Sequence, residues 1–180
     1  MQDIKDIVKH LAEQAKKQML KKGELEPKMY FLILYPGQKT AVYFPVPVSK
    51  FFEDGPVNMK PKIPAYAQMA WLNKKNTSPP GIELKAVCCM TDSWFSIYDL
   101  QGLSDQEIEL LKDTAPMPSQ DPNNIEAIQL SVCMPAKEGL VYLIPYKRKG
   151  KKLIFDETAK YEKPGHLDGG WMAKLFPKIL

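Results

Sequence analysis

Apolar residues recur every three or four positions from Asp3 to Lys22, at Ile4, Ile7, Val8, Leu11, Ala12, Ala15 and Met19. That spacing draws a single apolar stripe on a helix. Asp3 is placed to cap the helix start, while Lys16, Lys17, Lys21 and Lys22 suit the negative end of its dipole. Gly23 can take the left-handed conformation that stops it. The pattern then changes period. Met29 to Tyr35 is continuously apolar, as expected of a strand buried on both faces, and Thr40 to Phe44 follows a Pro36-Gly37 turn, so the two runs predict a hairpin. Pro45 to Pro64 is rich in proline and predicts a long surface loop anchored by Phe51 and Phe52.

Ile63 to Leu72 predicts a short second helix with Pro64 in its first turn. Ile82 to Thr91 predicts a central strand in which Ile82, Leu84, Ala86, Cys88 and Met90 share one face, and Asp92 to Tyr98 either continues it or begins another. Ser104-Asp105-Gln106-Glu107 is a capping box ahead of Ile108, Leu110 and Leu111, so a third short helix is expected. A strand follows, reaching about Met134. Leu140 to Tyr146 pairs with it, and Leu153 to Phe155 pairs beyond a basic turn. This order predicts an α+β fold with a mostly antiparallel sheet, one long N-terminal amphipathic helix and two shorter helices. A chain of 180 residues is expected to form one globular domain over 1–180, with 156–180 as a packed C-terminal tail.

Composition narrows the chemistry. Net charge is +4, too small for a strong global field toward nucleic acid or an anionic membrane. Only Arg148 among the basic residues is an arginine, which argues against rigid two-pronged phosphate or carboxylate recognition as the main activity. The three cysteines, Cys88, Cys89 and Cys133, form no C-x-x-C and are expected to be reduced and buried. No apolar run approaches the ~20 residues needed to span a bilayer, and the first residues lack the apolar centre of a secretory signal. A cytoplasmic protein with no membrane association and no cofactor is the expectation.

The candidate chemistry begins at Glu126. It heads a strand on the same side as Ile128, Leu130 and Val132, so it must either be satisfied there or work as an acid or base. Backbone amides of 119–124, Ser93, the Trp94 indole and Arg148 are its candidate partners. Ser119 and Asp121 can cap turn amides beside it, so that Trp94, Ser119, Asp121 and Glu126 form a structural motif. Glu83 and Lys85, with Asp54 as a distant acid, match the spacing of a metal-dependent nuclease, although an exposed strand start explains the pair equally well. His10 and His166 have no second histidine at ligand spacing, and no metal is expected. Lys147, Arg148, Lys149, Lys151 and Lys152 surround Gly150 at a hairpin tip, where they could contact phosphates or guard a sheet edge.

Three phrases carry a resemblance: Gly23-Glu24-Leu25-Glu26-Pro27, Asp92-Ser93-Trp94, and Pro118-Ser119-Gln120-Asp121-Pro122 with Glu126-Ala127. Over roughly 23–132 the chain resembles a family of small uncharacterised bacterial and phage-related proteins. It departs from that pattern at Asn124, where a basic residue is usual. The resemblance implies no activity and no site. The leading expectation is therefore a non-catalytic binding or interaction module that meets a protein partner or a second copy of itself. The alternatives are a nucleic-acid-binding protein using 147–152, or a hydrolase or nuclease using Glu126 or the Glu83/Lys85 pair.

Overall fold

The computed structural model describes residues 2–48, 62–95, 102–114, 124–135, 138–150, 152–156 and 161–166. Phe51, Phe52, Asp54, 96–98, Ser119, Asp121, Lys151 and most of the tail fall outside them. The chain is α+β. Its elements are α1 (Gln2–Lys22), β1 (Lys28–Leu34), β2 (Val42–Pro47), α2 (Ile63–Asn76), β3 (Glu83–Phe95), α3 (Asp105–Thr114), β4 (Ile125–Cys133), β5 (Glu138–Lys149), β6 (Lys152–Phe155) and β7 (Tyr161–His166). All the strands join one antiparallel sheet in the order β2-β1-β3-β4-β5-β6, with β7 pairing along β5 as well.

A helix lies against each face. The α1 stripe, with Val8, Leu11, Ala12, Ala15 and Met19 buried, packs on Tyr30, Leu32, Cys88, Met90, Ile128, Leu130, Tyr142 and Ile144. On the other face, Ile63, Ala67 and Trp71 of α2 meet Met29, Phe31, Ile33, Val87, Cys89 and Cys133. The Phe31 and Trp71 rings meet edge to face at 5.8 Å. β1 is thus buried on both sides, as its unbroken apolar run requires. Each fully buried side chain of this kind contributes roughly 1.5–3 kcal/mol relative to exposure.

Gly23 ends α1 at φ 78°, with its amide on the Met19 carbonyl at 2.8 Å. The capping box forms too: the Glu107 carboxylate accepts from the Ser104 amide at 2.8 Å, and these Ser104 contacts lower the Glu107 pKa. Asp3 behaves differently from expectation. The helix already includes Gln2, and the Asp3 carboxylate accepts from the Ala41 amide at 2.8 Å, tying the start of α1 to the approach to β2.

Three strands depart from the pattern read in the sequence. β2 continues through Pro45 and Pro47, because an edge strand can turn the amide-free side of proline outward, where it denies donors to an incoming strand. β7 is an additional strand within 156–180, running beside the first half of β5 while β6 runs beside the second. The largest departure is in β3. Leu32 pairs with Ala86 and Ile33 with Leu84, leaving Lys85 as an extra residue in a β-bulge. Ile82 and Leu84 therefore face α2, whereas Ala86, Cys88 and Met90 face α1. Sequence alternation alone puts all five on one side.

The bulge makes a prediction that separates side chain from backbone. Lys85→Ala is expected to change stability by less than about 0.5 kcal/mol, since the side chain is on the surface. Deleting Lys85 converts the bulge to regular pairing with Leu84 still opposite Ile33 and with Ile82 and Leu84 still toward α2, so the fold is expected to tolerate the deletion at a cost of no more than about 2 kcal/mol in urea denaturation.

Candidate functional site

On the α1 side of the sheet, polar residues continue the inward parity of three strands at the same end. Asp92 follows Cys88 and Met90 on β3, Glu126 precedes Ile128 on β4, and Tyr146 and Arg148 follow Ile144 on β5. Register sets Trp94 opposite Glu126, Glu126 opposite Tyr146, and Tyr146 opposite Phe155. Asp92-Ser93-Trp94 and Glu126-Ala127, far apart in sequence, are thus cross-strand neighbours, with Ser93 beside Ala127.

Arg148 connects this end of the molecule. Its Nε donates to Glu126 Oε2 at 3.2 Å, one terminal nitrogen donates to the Gly23 carbonyl at 3.0 Å, and the other donates to the Tyr146 hydroxyl at 3.3 Å. The same group lies 3.8 Å from Asp92 Oδ2 and 5.4 Å from the centre of the Tyr146 ring. Tyr146 in turn donates to Asp92 Oδ1 at 2.6 Å. The planar guanidinium serves two carboxylates, a phenol and the negative end of α1 at once, which an ammonium could not do in this geometry. Burial works to lower the Arg148 pKa, but Tyr146 and Glu126 outweigh it and hold the group above its usual value. Burial, aided by Asp92 as acceptor, pushes the Tyr146 phenol well up.

An open cleft of about 1000 Å³ lies across these strand ends, with Trp94, Glu126, Lys147, Arg148, Ile154 and Asp156 among its lining. Trp94 is 47% exposed and Ile154 52%, so the cleft lining includes open apolar surface. Lys147, Lys149 and Lys152 are exposed at the neighbouring hairpin tip.

Sequence reasoning identified Glu126, its inward direction and Arg148 as one of its partners. It missed Asp92, although the parity shared with Cys88 and Met90 placed a carboxylate on a core-facing position. Arg148 belongs to the network, so of the basic residues at the tip the exposed lysines are the ones left to meet a ligand. Glu83 and Lys85 pair with each other at the opposite end of β3, far along the strand from Glu126. No three His, Cys, Asp or Glu side chains converge as a metal site among the described residues. Burial raises the Cys88 thiol to about 12 and Cys89 well above its ordinary value, so neither is a nucleophile near neutral pH. Among the described residues no helix is long and apolar enough to cross a membrane.

Comparison with protein-family models, curated proteins and solved structures returns no match for this chain.

Two predictions follow from the network. Arg148→Ala leaves Glu126 and Asp92 without their cation and is expected to cost about 2 kcal/mol; Arg148→Lys should recover less than half of that, as measured by urea unfolding. The buried phenols set an alkaline limit. Folding raises Tyr30 to about 12, mainly through burial, and raises Tyr146 further, so the folded state holds both protons more tightly than the unfolded chain does. Their stabilisation is complete below about pH 10 and is lost as pH rises through the folded values. Stability measured from pH 9 to 12 should fall, and Tyr146→Phe should flatten the fall.

Proposed function

We propose that this chain is a non-catalytic binding module whose contact surface is the cleft at the ends of β3 to β6. The observation that carries the proposal is the mutual engagement of the network's two carboxylates: Glu126 is held by Arg148, and Asp92 by Tyr146 and Arg148. A general acid or base has to present a proton site to a substrate, whereas these groups turn toward one another. What remains for a ligand includes an exposed tryptophan, an exposed isoleucine, Lys147 and Asp156, an apolar and charged mixture suited to recognition.

The sheet edges bear on how a protein partner, or a second copy, would dock. Pro45 and Pro47 lie on β2, and Pro164 on β7, so a pairing donor is missing at two positions of the β2 edge and at one position of β7. Contact through the cleft surface fits better. The in-register meeting of Asp92-Ser93-Trp94 with Glu126-Ala127 supports treating the phrases that resemble the bacterial and phage-related family as parts of one structural unit.

Stability separates this reading from an enzyme. Catalytic carboxylates are commonly held at a cost, and removing them stabilises the protein. Glu126→Gln and Asp92→Asn are instead expected to lose about 1 kcal/mol each, and Glu126→Gln with Arg148→Ala should be non-additive by more than about 0.5 kcal/mol in a double-mutant cycle. A rise in melting temperature in either single variant would overturn the reading.

A further inference from the structure

The end of the β5–β6 hairpin carries an electrostatic cost that no ion pair among the described residues relieves. Lys149 is paired in register with Lys152, so two ammonium groups stand directly across the ladder from each other, an arrangement that destabilises a sheet. Lys147 lies two residues along the same strand face, opposite Ile154. All three are exposed, and among the described residues no carboxylate forms an ion pair with any of them.

The surroundings indicate what the lysines face. Lys147 and Ile154 reach the cleft from one face of the sheet and Trp94 from the other, so a cation and an exposed indole border the same open space where the strands end. The Arg148 bond to the Gly23 carbonyl fixes the end of α1 at the same end of the sheet. Of the acids nearby, Glu126 is engaged by Arg148, while Asp156 also lines the cleft.

Cations that track a backbone and an exposed aromatic that can receive a base are the two parts of a single-strand nucleic-acid site. Resting on the binding-module reading above, we infer that the ligand is single-stranded nucleic acid, with phosphates on Lys147, Lys149 and Lys152 and a base stacked on Trp94. A double helix keeps its bases stacked inside and would use the lysines without the indole. An acidic polypeptide would likewise meet the charge and leave the tryptophan unused.

Fluorescence anisotropy with a labelled mixed-sequence single strand of about 15 nucleotides tests the assignment, alongside the matching duplex and poly-glutamate. The wild-type chain should bind the single strand more tightly than either control. Its affinity should fall with salt at a log–log slope of about −2, as expected for three phosphate contacts. Replacing Lys147, Lys149 and Lys152 together by Gln should weaken binding more than tenfold and bring the slope toward zero. Trp94→Ala should weaken single-strand binding about 5- to 100-fold and leave the slope unchanged. All three lysines and Trp94 are exposed, and circular dichroism verifies that the variants remain folded.

No binding of the single strand at low salt would overturn the inference while leaving the non-catalytic reading in place. Equal binding of duplex or poly-glutamate, or indifference to Trp94→Ala, would overturn the single-strand assignment. Cleavage of the bound oligonucleotide on a gel, lost in Glu126→Gln, would instead overturn the non-catalytic reading and leave the ligand class standing.

Discussion

A strand that is covered on both sides needs apolar side chains at every position, and a sheet built around such strands needs two separate apolar layers. β1 and the adjoining part of β3 impose that constraint here. α1 supplies one layer and α2 the other, and each helix can succeed only if the strands deliver the right side chains to the right face. The bulge at Lys85 makes this delivery possible. It gives α2 the pair Ile82 and Leu84 while α1 keeps Ala86, Cys88 and Met90, so one strand feeds two cores without a break in the sheet.

Where the apolar layers run out, polar groups take over the same positions. Asp92, Glu126 and Tyr146 continue the inward parity of their strands beyond the reach of the α1 stripe, and Arg148 gathers them with the carbonyl that ends the helix. Fixing four segments at once costs less conformational entropy per contact than four independent pairs, because each side chain is already held by another. The arrangement also gives the cleft a stiff wall. Trp94 stands across from Glu126 and Lys147 lies between Tyr146 and Arg148, so the groups available to a ligand are mounted on residues that are themselves immobilised.

Much of this could be read from local pattern. The α1 stripe, the Gly23 stop, the Ser104–Glu107 box and the two-sided burial of β1 all arise from interactions within a few residues or from unbroken hydrophobicity. Glu126 was legible because a charge at an apolar parity demands a partner, and the chain's single arginine was a natural one. The bulge was not legible, because Lys85 looks like an ordinary exposed strand residue and only the neighbouring β1 defines its register. Asp3 was misplaced for a similar reason: its partner, the Ala41 amide, is 38 residues away. The continuation of β2 through its prolines depended on its being an edge, which is a property of the sheet. Asp92 is the instructive omission, since the parity rule that singled out Glu126 applied to it equally.

The bond between Arg148 and the Gly23 carbonyl spans 125 residues, and its consequence concerns the birth of the chain. A ribosome makes α1 before any of the strands, yet much of the surface that buries its stripe belongs to β4 and β5, which emerge more than a hundred residues later. For most of its synthesis the helix has no complete seat, and its apolar side is available to anything that recognises such a stripe. The hairpins can zip locally as they appear, but the helix must wait for the far end of the chain, and the arginine closes behind it. Translation speed and chaperone occupancy are therefore part of the conditions under which this sequence reaches its fold.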